Sequence, residues 1–517
     1  MSEQAVWIVD FGSQYTQLIT KKIREVGHSS VIITVENARE KMEQGTLPQA
    51  LILSGGPQSV FVDQGDYSFL FADPKLPILG ICFGMQLIGQ YYSGKVVRGT
   101  MGEYGPAKIK LTSQMSIPGL PANIQVWMSH SDHLLHAPEN FSVVMESLNG
   151  LIAAIKSDDL PIMGLQFHPE VEHSDHGKEI LAYFLEEVAN LKKDWSRKAM
   201  LEDALAEVGQ VGEEVVLCAF SGGVDSLVAA TLAARILKDR LYCFFVNNGL
   251  LRPQDLDHIE ALIKETNLNI EVIDASQTFL TKLAGVDDPE KKRKIIGNLF
   301  IEVFEQKVHQ FEQERNIHFS HLLQGTLYPD VIESISPHGK GGKSATIKSH
   351  HNVGGLPERM KLKLLEPLRF LFKDEVRSLG RELGLRHSWV YRHPFPGPGI
   401  GIRVLGRVTP EYVAYVQQSD QILFEELHHF NLYDSVWQAL TVMLPVKTVG
   451  VKGDARAYEE VICVRIVGSV DGMTADWSDL PKLFLKKVSN RITNEVKGIT
   501  RVVYDITSKP PGTIEWE

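Results

Sequence analysis

The stretch Leu79–Gln86, with the sequence LGICFGMQ, is where a short buried strand turns into a helix. The apolar run Leu76–Ile81 leads into it, and the spacing predicts a helix over Gln86–Tyr92. Earlier parts of the chain repeat this alternation, with apolar runs at Ala5–Asp10, Val31–Val35 and Ala50–Leu53 and helical spacing over Tyr15–Val26. Strands that are apolar on both faces are typical of a mostly parallel sheet covered by helices.

A second alternation of strands and helices follows. Its strands are predicted at Val215–Phe220, Leu241–Val246, Ile270–Ile273 and Leu322–Gln324, with helices at Ser226–Leu237 and Glu290–Gln313. Such an order predicts a second doubly wound sheet. Residues Arg392–Gly401 read RHPFPGPGIG, which is too rich in Pro and Gly for a regular element.

The remainder of the chain pairs two predicted helices with three predicted strands. The helices are Pro410–His428 and Leu480–Val496, and the strands lie near Val446–Val451, Val461–Val467 and Arg501–Ile506. The fold class predicted for the chain is α/β, with two doubly wound, mostly parallel-sheet domains followed by a small α/β C-terminal module. The predicted domains are 1–198, 199–392 and 393–517.

Composition narrows the class of protein. The chain has 517 residues, of which 44% are apolar and 23% charged, as in ordinary globular proteins. Its net charge of −11 disfavours nucleic acid as a partner. No apolar run is long enough for a membrane span, no secretory signal is visible, and the four cysteines stand singly. We therefore expect a cytoplasmic protein with neither a nucleic-acid nor a membrane partner.

The glycine-flanked Cys82 is a candidate nucleophile. A strand-to-helix turn exposes its side chain, while the helix N-terminus favours a thiolate and supplies N–H groups for an oxyanion. His168, in the sequence Phe167-His168-Pro169-Glu170, can take the thiol proton, and Glu170 can orient the imidazole. The competing interpretation is a buried core thiol with a structural histidine.

The pattern G-x-C-x-G-x-Q with a later H-P-E resembles the class I glutamine amidotransferases. The resemblance implies that Cys82 forms a glutamyl thioester and releases ammonia, with His168 and Glu170 completing a triad. It also implies that Ser54–Pro57 is an oxyanion loop. The residues that the resemblance assigns to the glutamine and oxyanion sites are Gly55, Gly56, Phe83, Gln86, Ser131 and Asp132. An ordinary polar turn is the alternative for Ser131 and Asp132.

Two groups of histidines invite a metal interpretation. They are His130, His133 and His136, and His168, His173 and His176. Neither group has the HExxH pattern of a zinc site on a helix. A solvated polar loop is the better prediction for both groups.

The sequence Ser221-Gly222-Gly223-Val224-Asp225-Ser226 lies between a predicted strand and a long predicted helix. Its two glycines let consecutive N–H groups face an anion at the positive end of the helix. The hydroxyls of Ser221 and Ser226 add donors, and Asp225 is placed to hold Mg²⁺. No Walker motif GxxxxGK[ST] is present. A simple helix-capping turn is the competing interpretation.

The complete S-G-G-x-D-S sequence resembles the PP-loop of the N-type ATP pyrophosphatases. The resemblance implies cleavage of Mg-ATP to AMP and pyrophosphate, no tightly bound organic cofactor, and an adenosine close to Val246–Gly249. The ATP-binding residues that it implies are Ser221, Gly222, Gly223, Val224, Asp225, Ser226 and Leu227. The basic segment His338–Lys363 is then either a solvated loop or a lid over a phosphorylated substrate.

An amidotransferase, a PP-loop domain and a small C-terminal domain, in this order, resemble the glutamine-hydrolysing GMP synthase family. That family implies a ligase that adenylylates XMP at O2 with Mg-ATP and replaces AMP by ammonia from glutamine, in guanine nucleotide biosynthesis. It also implies homodimerisation through the C-terminal domain. The matching positions are Asp330 and Glu333 at the adenylylation centre, and Arg293, Arg501, Lys509, Ile514 and Glu515 at the XMP site.

Two alternatives remain open on the sequence. One is an ATP pyrophosphatase coupled to an amidotransferase that acts on a different acceptor. The other is a glutamine or nucleotide sensor whose amidotransferase domain is inert. A tRNA-thiolating enzyme is disfavoured because the chain lacks paired cysteines and a basic face. Glutaminase activity that responds to XMP and ATP would distinguish the synthase from the sensor.

Overall fold

A computed structural model describes residues 5–63, 65–112, 117, 119–335, 361–452, 454–469 and 474–517. The chain divides into two compact units, Met1–Met200 and Leu201–Glu517. In the parts of the chain described, no helix combines the length and the apolar character that a membrane span requires.

The first unit is built on one nine-stranded sheet. Its strands are β1 (Val6–Asp10), β2 (Ser30–Thr34), β3 (Leu51–Leu53), β4 (Ile78–Ile81), β5 (Lys95–Leu111), β6 (Asn123–His136), β7 (Phe141–Ser147), β8 (Ile152–Ser157) and β9 (Ile162–Leu165). They are ordered β2-β1-β3-β4-β9-β8-β7-β5-β6. The first five in this order are parallel, and the pairs from β9 to β6 are antiparallel.

Helices cover the parallel part of this sheet, which explains why β3, β4 and β9 are buried along their whole length. The helices are α1 (Thr16–Glu25), α2 (Val35–Glu43), α3 (Phe83–Tyr91) and α4 (Gly177–Ala182), which continues as a π-helical turn over Tyr183–Val188. Helix α5 (Arg197–Gly209) spans the junction between the units.

Two long antiparallel strands, β5 and β6, form one edge of this sheet. Strand β6 buries every second residue, including His130. The prediction of a solvated loop for His130, His133 and His136 is therefore wrong, because all three belong to this strand. The alternation was hard to recognise since two of its buried positions, His130 and Asp132, are polar.

The second unit begins with a five-stranded, all-parallel sheet. Its strands are β10 (Val215–Ala219), β11 (Leu241–Asn247), β12 (Ile270–Asp274), β13 (Phe319–Leu323) and β14 (Lys363–Leu365), in the order β12-β11-β10-β13-β14. The helices are α6 (Val224–Leu237), α7 (Pro253–Glu265), α8 (Ser276–Leu283), α9 (Pro289–Arg315), α10 (Tyr328–Ile335), α11 (Lys373–Glu382) and α12 (His387–Val390).

A smaller sheet completes the second unit. Strands β15 (Gln438–Lys452) and β16 (Ala455–Gly468) form a long hairpin, and β16 also pairs with β17 (Asp476–Trp477) and β18 (Ile499–Tyr504). Two helices, α13 (Pro410–His429) and α14 (Lys482–Glu495), pack in this part of the unit. The predicted α/β class with two large sheets and a smaller third one is confirmed. The boundaries at 198 and 392 stay predictions.

Three of the four cysteines lie inside sheets. Cys218 of β10 and Cys243 of β11 are direct partners on neighbouring strands, and Cys463 lies in β16. All three are buried, and the four cysteines, each of which lies in a described part of the chain, form no disulfide. This is the arrangement of small core side chains rather than of a covalent scaffold.

Candidate active sites

Four loops of the first unit converge at one edge of its sheet. The loops 11–15, 54–57 and 166–170, together with Cys82, follow the parallel strands β1, β3, β9 and β4. Because the carboxyl ends of parallel strands meet at the same edge, these loops lie side by side. This edge carries the predicted nucleophile, base and oxyanion loop.

Cys82 occupies a strained turn between β4 and α3. Its φ of 53° and ψ of −104° lie in a sparsely populated region, at a cost of about 1–3 kcal/mol. The flanking glycines, Gly80 and Gly84, let neighbouring backbone approach closely. A Cβ at Gly80 would lie 2.5 Å from the Gly84 carbonyl carbon, and one at Gly84 would lie 2.3 Å from Leu53 O. Close packing of α3 on β3 and β4 therefore requires both glycines.

The structure brings Cys82, His168 and Glu170 together. His168 Nδ1 lies 2.7 Å from Glu170 Oε1, and a side-chain hydrogen bond links His168 to Cys82. All three side chains are buried. Burial lowers the pKa of His168, but the Glu170 carboxylate and the Cys82 side chain more than offset it and hold that pKa well above its usual value. The site thus favours an imidazolium beside the sulfur.

Three neighbours of this triad were not predicted from the sequence. The Gln166 amide donates to Cys82 Sγ at 3.7 Å, and Sγ donates to the Ser129 carbonyl, also at 3.7 Å. The Tyr15 ring meets the His168 ring edge-on, with 5.1 Å between centroids. Their positions at the ends of β9 and β1 and within β6 are the only signal that the sequence held for them.

The predicted oxyanion loop lies against the triad. A Cβ at Gly55 would lie 3.1 Å from His168 Cε1 and 3.7 Å from Cys82 Cβ, so a larger residue would fill the space beside the sulfur. A Cβ at Gly56 would lie 2.8 Å from Phe11 O. Phe83 opens helix α3, and its N–H is one of the four that have no partner within a helix. Gly55 and Phe83 thus border the place where an oxyanion would form.

The predicted glutamine-binding residues differ in their surroundings. The Gln86 amide donates to the Asp132 carbonyl at 2.8 Å, and the Asp132 carboxylate accepts a hydrogen bond from Ser59. Ser131 and Asp132 are successive residues of β6, so their side chains point to opposite faces, and only Asp132 is buried. From this strand, the two side chains do not face one pocket together. In the described parts of the chain, no group of three His, Cys, Asp or Glu side chains could hold a metal ion.

A second set of loops meets at the carboxyl edge of the parallel sheet in the second unit. Residues 220–223, 248–250 and 324–327 follow β10, β11 and β13, which are adjacent or next-but-one in the sheet. Ligands of doubly wound sheets bind at this edge. The S-G-G-x-D-S sequence, Asn248 and the segment before Asp330 therefore lie at one site.

The loop after β10 is folded by its own hydroxyls. Ser221 Oγ lies 3.0 Å from Ser226 Oγ and accepts from the Gly223 N–H at 3.3 Å. Gly222 has a φ of +74°, and a Cβ there would lie 2.6 Å from Ile259 Cδ1. Val224 and Leu227 point into the core, so only their backbone can face a ligand. The loop presents its N–H groups at the start of α6, as an anion site requires.

Asp225 faces a cation that the sequence did not predict. Its Oδ2 lies 3.3 Å from Lys373 Nζ, at the start of α11, while its buried Oδ1 finds no hydrogen-bond partner among the residues that the structure describes. Gly325 allows the next loop to approach closely, because a Cβ there would lie 2.9 Å from the Asp225 carbonyl carbon.

Helix α7 contacts the loop that follows β10. His258 forms a hydrogen bond with the Gly222 backbone, and burial together with the charge of Arg392 lowers the pKa of His258 to about 4. This histidine is therefore neutral near pH 7. It was not predicted from the sequence, since it is distant in the chain from the loop that it contacts.

The predicted acidic pair lies in helix α10. Asp330 Oδ2 accepts the Leu327 N–H at 2.9 Å, which ties the loop after β13 to the first turn of the helix. Glu333 belongs to the same helix, but its side chain lies outside the described residues. Most of the basic segment His338–Lys363 also lies outside them.

The predicted XMP residues fall into three places. Lys509, Ile514 and Glu515 share the segment 509–517, which is called the tail below. Arg293 lies in α9, is 43% exposed and pairs with Glu290. Its neighbour Lys292 contacts Glu517 of the tail. Arg501 Nε donates to Thr448 Oγ1 at 3.4 Å, between β18 and β15.

Comparison with known families divides the chain in the same order. Residues 7–188 match the family Glutamine amidotransferase class-I, and residues 425–516 match the GMP synthase C terminal domain. Residues 215–323 match the Phosphoadenosine phosphosulfate reductase domain. These matches contain the turn at Cys82 between β4 and α3, the Ser221–Ser226 loop and the tail as far as Trp516.

Relatives match the whole chain. The GMP synthase [glutamine-hydrolyzing] of Chlorobaculum tepidum is 50% identical over 529 residues, which cover 100% of this chain and 99% of the relative. That of Chlorobium phaeovibrioides is 50% identical over 529 residues, with 99% and 100% covered. That of Aquifex aeolicus is 48% identical over 520 residues and covers both chains completely. The chain therefore belongs to the family of glutamine-hydrolysing GMP synthases.

Proposed function

We propose that this chain forms GMP from XMP, ATP and glutamine at two centres, one in each unit. The observation that carries the proposal is the presence in one chain of a buried Cys82–His168–Glu170 arrangement and a Ser221–Ser226 anion loop. The first is suited to release ammonia from an amide, and the second to hold the phosphates of ATP.

At the first centre, Cys82 Sγ attacks the glutamine amide carbon. His168, held by Glu170, takes the thiol proton and gives it to the departing ammonia. Water then hydrolyses the thioester, so that glutamine and water become glutamate and ammonia. The developing oxyanion lies beside Gly55 and the Phe83 N–H, where the sterically open glycine leaves room for it.

At the second centre, the O2 oxygen of XMP attacks the α-phosphorus of ATP and pyrophosphate leaves. Ammonia then attacks C2 and displaces AMP, which gives GMP. The loop N–H groups and the hydroxyls of Ser221 and Ser226 bind the β- and γ-phosphates. Lys373 adds a positive charge beside Asp225, where pyrophosphate would separate.

The residues present fit a magnesium ion bound together with ATP. Asp225 Oδ1 is a buried carboxylate oxygen without a hydrogen-bond partner in the described chain. Mg²⁺ commonly takes one or two protein carboxylates and completes its shell with phosphate oxygens and water. Asp225 would hold it, and the ion would neutralise charge on the phosphates.

We also propose the functional division 1–198, 199–392 and 393–517, with the tail and Arg293 at the XMP site. Positively charged Arg293, Arg501 and Lys509 suit a 5′-phosphate. Lys292 supports the assignment, because it holds the tail next to the helix that carries Arg293. Asp330 shapes the adjoining loop through its bond to Leu327.

The experiment that tests the proposed function follows the loss of XMP absorbance with Mg-ATP. Parallel reactions contain glutamine or ammonium chloride. We expect turnover with both nitrogen sources and one AMP per GMP. Turnover with neither source would overturn the choice of acceptor and leave an ATP pyrophosphatase coupled to a glutaminase. The absence of glutaminase activity in the presence of XMP and ATP would favour the sensor, whose amidotransferase domain is inert.

A prediction concerns Glu170. We expect Glu170→Gln to lower glutaminase kcat/KM by roughly 10²–10⁴-fold, because His168 loses the carboxylate that stabilises its charge. The alkaline limit of activity should move to lower pH. Because the pKa of His168 is raised in the folded protein, protonation of His168 stabilises the fold at pH values below about 6.5, and this stabilisation is lost as pH rises through the raised pKa. Glu170→Gln should therefore also lower the Tm at low pH more than at high pH.

The measurements are pH profiles of glutaminase kcat/KM and of Tm. Glu172→Gln serves as the matched control, since this carboxylate lies two residues away and pairs with Lys22 instead. An unchanged alkaline limit in Glu170→Gln would contradict the role given to Glu170.

We propose that the chain dimerises through the hairpin of β15 and β16. Apolar side chains project from it into solvent: Val446 is 54% exposed, Val449 46%, Val451 76% and Tyr458 69%. We expect Val451→Asp combined with Tyr458→Asp to shift the mass measured by light scattering from dimer to monomer. Val62→Asp, at a 67% exposed position of the first unit, is the control. A wild-type monomer at micromolar concentration would contradict the proposal.

A further inference from the structure

Buried charges hold the tail at two points. Arg403 is completely buried, and its guanidinium donates to both carboxylate oxygens of Glu515, at 3.1 Å from Nε and 2.8 Å from Nη2. Gln438 donates a further hydrogen bond to Glu515 at 2.7 Å. Lys292, also completely buried, donates to Glu517 Oε2 and to the Val404 carbonyl, both at 2.6 Å.

The Arg403 side chain is also held by contacts with core residues outside the tail. Its Nη1 lies 3.2 Å from Asp420 Oδ2, and Asp420 is likewise completely buried. The other oxygen of Asp420 accepts the Thr441 N–H at 2.7 Å and the Thr441 hydroxyl at 2.9 Å. The Phe395 ring packs against the guanidinium at 5.0 Å. The direction in which Arg403 points is therefore set by the core and not by the tail.

The carboxylate of Glu515 is occupied by these contacts. Three N–H groups of Arg403 and Gln438 donate to its two oxygens. Because both oxygens already accept hydrogen bonds, the Glu515 carboxylate has little acceptor capacity left for a ligand, and its main effect is to orient the backbone around it. Arg465 completes the arrangement by donating to the carbonyls of Thr513 at 2.8 Å and Ile514 at 3.0 Å.

We propose that Arg403 and Lys292 are positioning residues for XMP. They touch the tail and hold it against the core and helix α9, so that the residues around Glu515 face the substrate in one geometry. The Lys292 contact adds a link to the helix that carries Arg293. This inference rests on the proposed function, in which the tail and Arg293 contact XMP.

We therefore expect substitutions of these residues to change KM for XMP much more than KM for ATP or kcat. Loosening the tail affects XMP binding, whereas the ATP loop after β10 keeps its own contacts. We expect Arg403→Gln and Glu517→Ala to raise KM for XMP by about tenfold or more in the ammonium-dependent reaction. KM for ATP and kcat at saturating XMP should change much less. Arg403→Lys keeps the charge without the bidentate geometry and should fall between these variants and the wild type.

The control is Arg491→Gln, which removes another ion-paired arginine of the same unit. Arg491 pairs with Glu425, Glu426 and Glu495 on helices and not with the tail. Hydrogen exchange of the tail amides, measured in the same variants, should rise in Arg403→Gln and Glu517→Ala but not in Arg491→Gln.

Glu517→Ala keeps the test decisive if Arg403→Gln fails to fold, because it leaves the buried Arg403–Asp420 pair intact. An unchanged KM for XMP in Glu517→Ala and Arg403→Lys would overturn the inference, as would equal effects on XMP and ATP. Failure of the proposed function is distinguishable, since the wild-type protein would then not consume XMP at all.

Discussion

Replacing Cys82 by alanine is expected to abolish glutamine-dependent GMP formation, by roughly 10⁴-fold or more, because the group that forms the thioester is gone. Synthesis from ammonium chloride should remain, since the nucleotide centre is built from a different sheet with its own loops. The measurement is XMP consumption with each nitrogen source at matched Mg-ATP.

Cys82→Ser and Cys463→Ala sharpen the test. Serine is similar in size to cysteine and keeps a hydrogen-bonding side chain in the turn between β4 and α3, but its hydroxyl is a weaker nucleophile. The Cys82→Ser variant should therefore also lose glutamine-dependent synthesis. Cys463→Ala removes a buried thiol from the second unit and should keep both activities. Loss of ammonium-dependent synthesis in Cys82→Ala, in a protein that remains folded, would contradict the assignment of two separable centres.

The second large effect is expected for Asp225→Asn. The change removes the carboxylate charge that would hold Mg²⁺ and breaks the ion pair with Lys373. GMP formation should fall by roughly 10²–10³-fold with either nitrogen source, as when one electrostatic contact to a transition state is lost. Basal glutamine hydrolysis should persist. The measurement is kcat with glutamine and with ammonium chloride over a range of Mg²⁺ concentrations.

Asp257→Asn is the matched control, because this exposed aspartate lies on α7 in the same unit. It should leave both activities unchanged. If Asp225→Asn kept near-normal turnover at low Mg²⁺, the metal role would be wrong. Loss with glutamine alone would instead indicate that Asp225 acts on ammonia transfer.

The two strand–turn–helix sites were predictable because their signals are local. At Cys82 and at Ser221, an apolar run, a pair of glycines and a helical spacing follow one another within about a dozen residues. The His168–Glu170 pair is local too, with a single residue between its members. In each case the parallel strand order then brings the loops to one sheet edge.

Contacts between distant segments were not predictable in this way. Lys373 and Asp225 are 148 residues apart, Lys292 and Glu517 are 225 apart, and Arg403 and Glu515 are 112 apart. No periodicity in the sequence identifies such partners, because the sequence does not distinguish a buried charged residue from a solvent-exposed one. The full length of strand β6 was not predictable for a related reason: polar His130 and Asp132 fill buried positions that an alternating pattern assigns to apolar residues.

All four thiols are buried, but their neighbours make one of them reactive and leave the other three unreactive. Cys82 lies in the turn between the carboxyl end of β4 and helix α3, beside the imidazolium of His168. Cys218 and Cys243 share a hydrogen bond inside a sheet, and burial raises the pKa of Cys463 to about 12. An alkylating reagent applied to the native protein therefore has a single target, and its stoichiometry counts the competent glutaminase centres in any preparation.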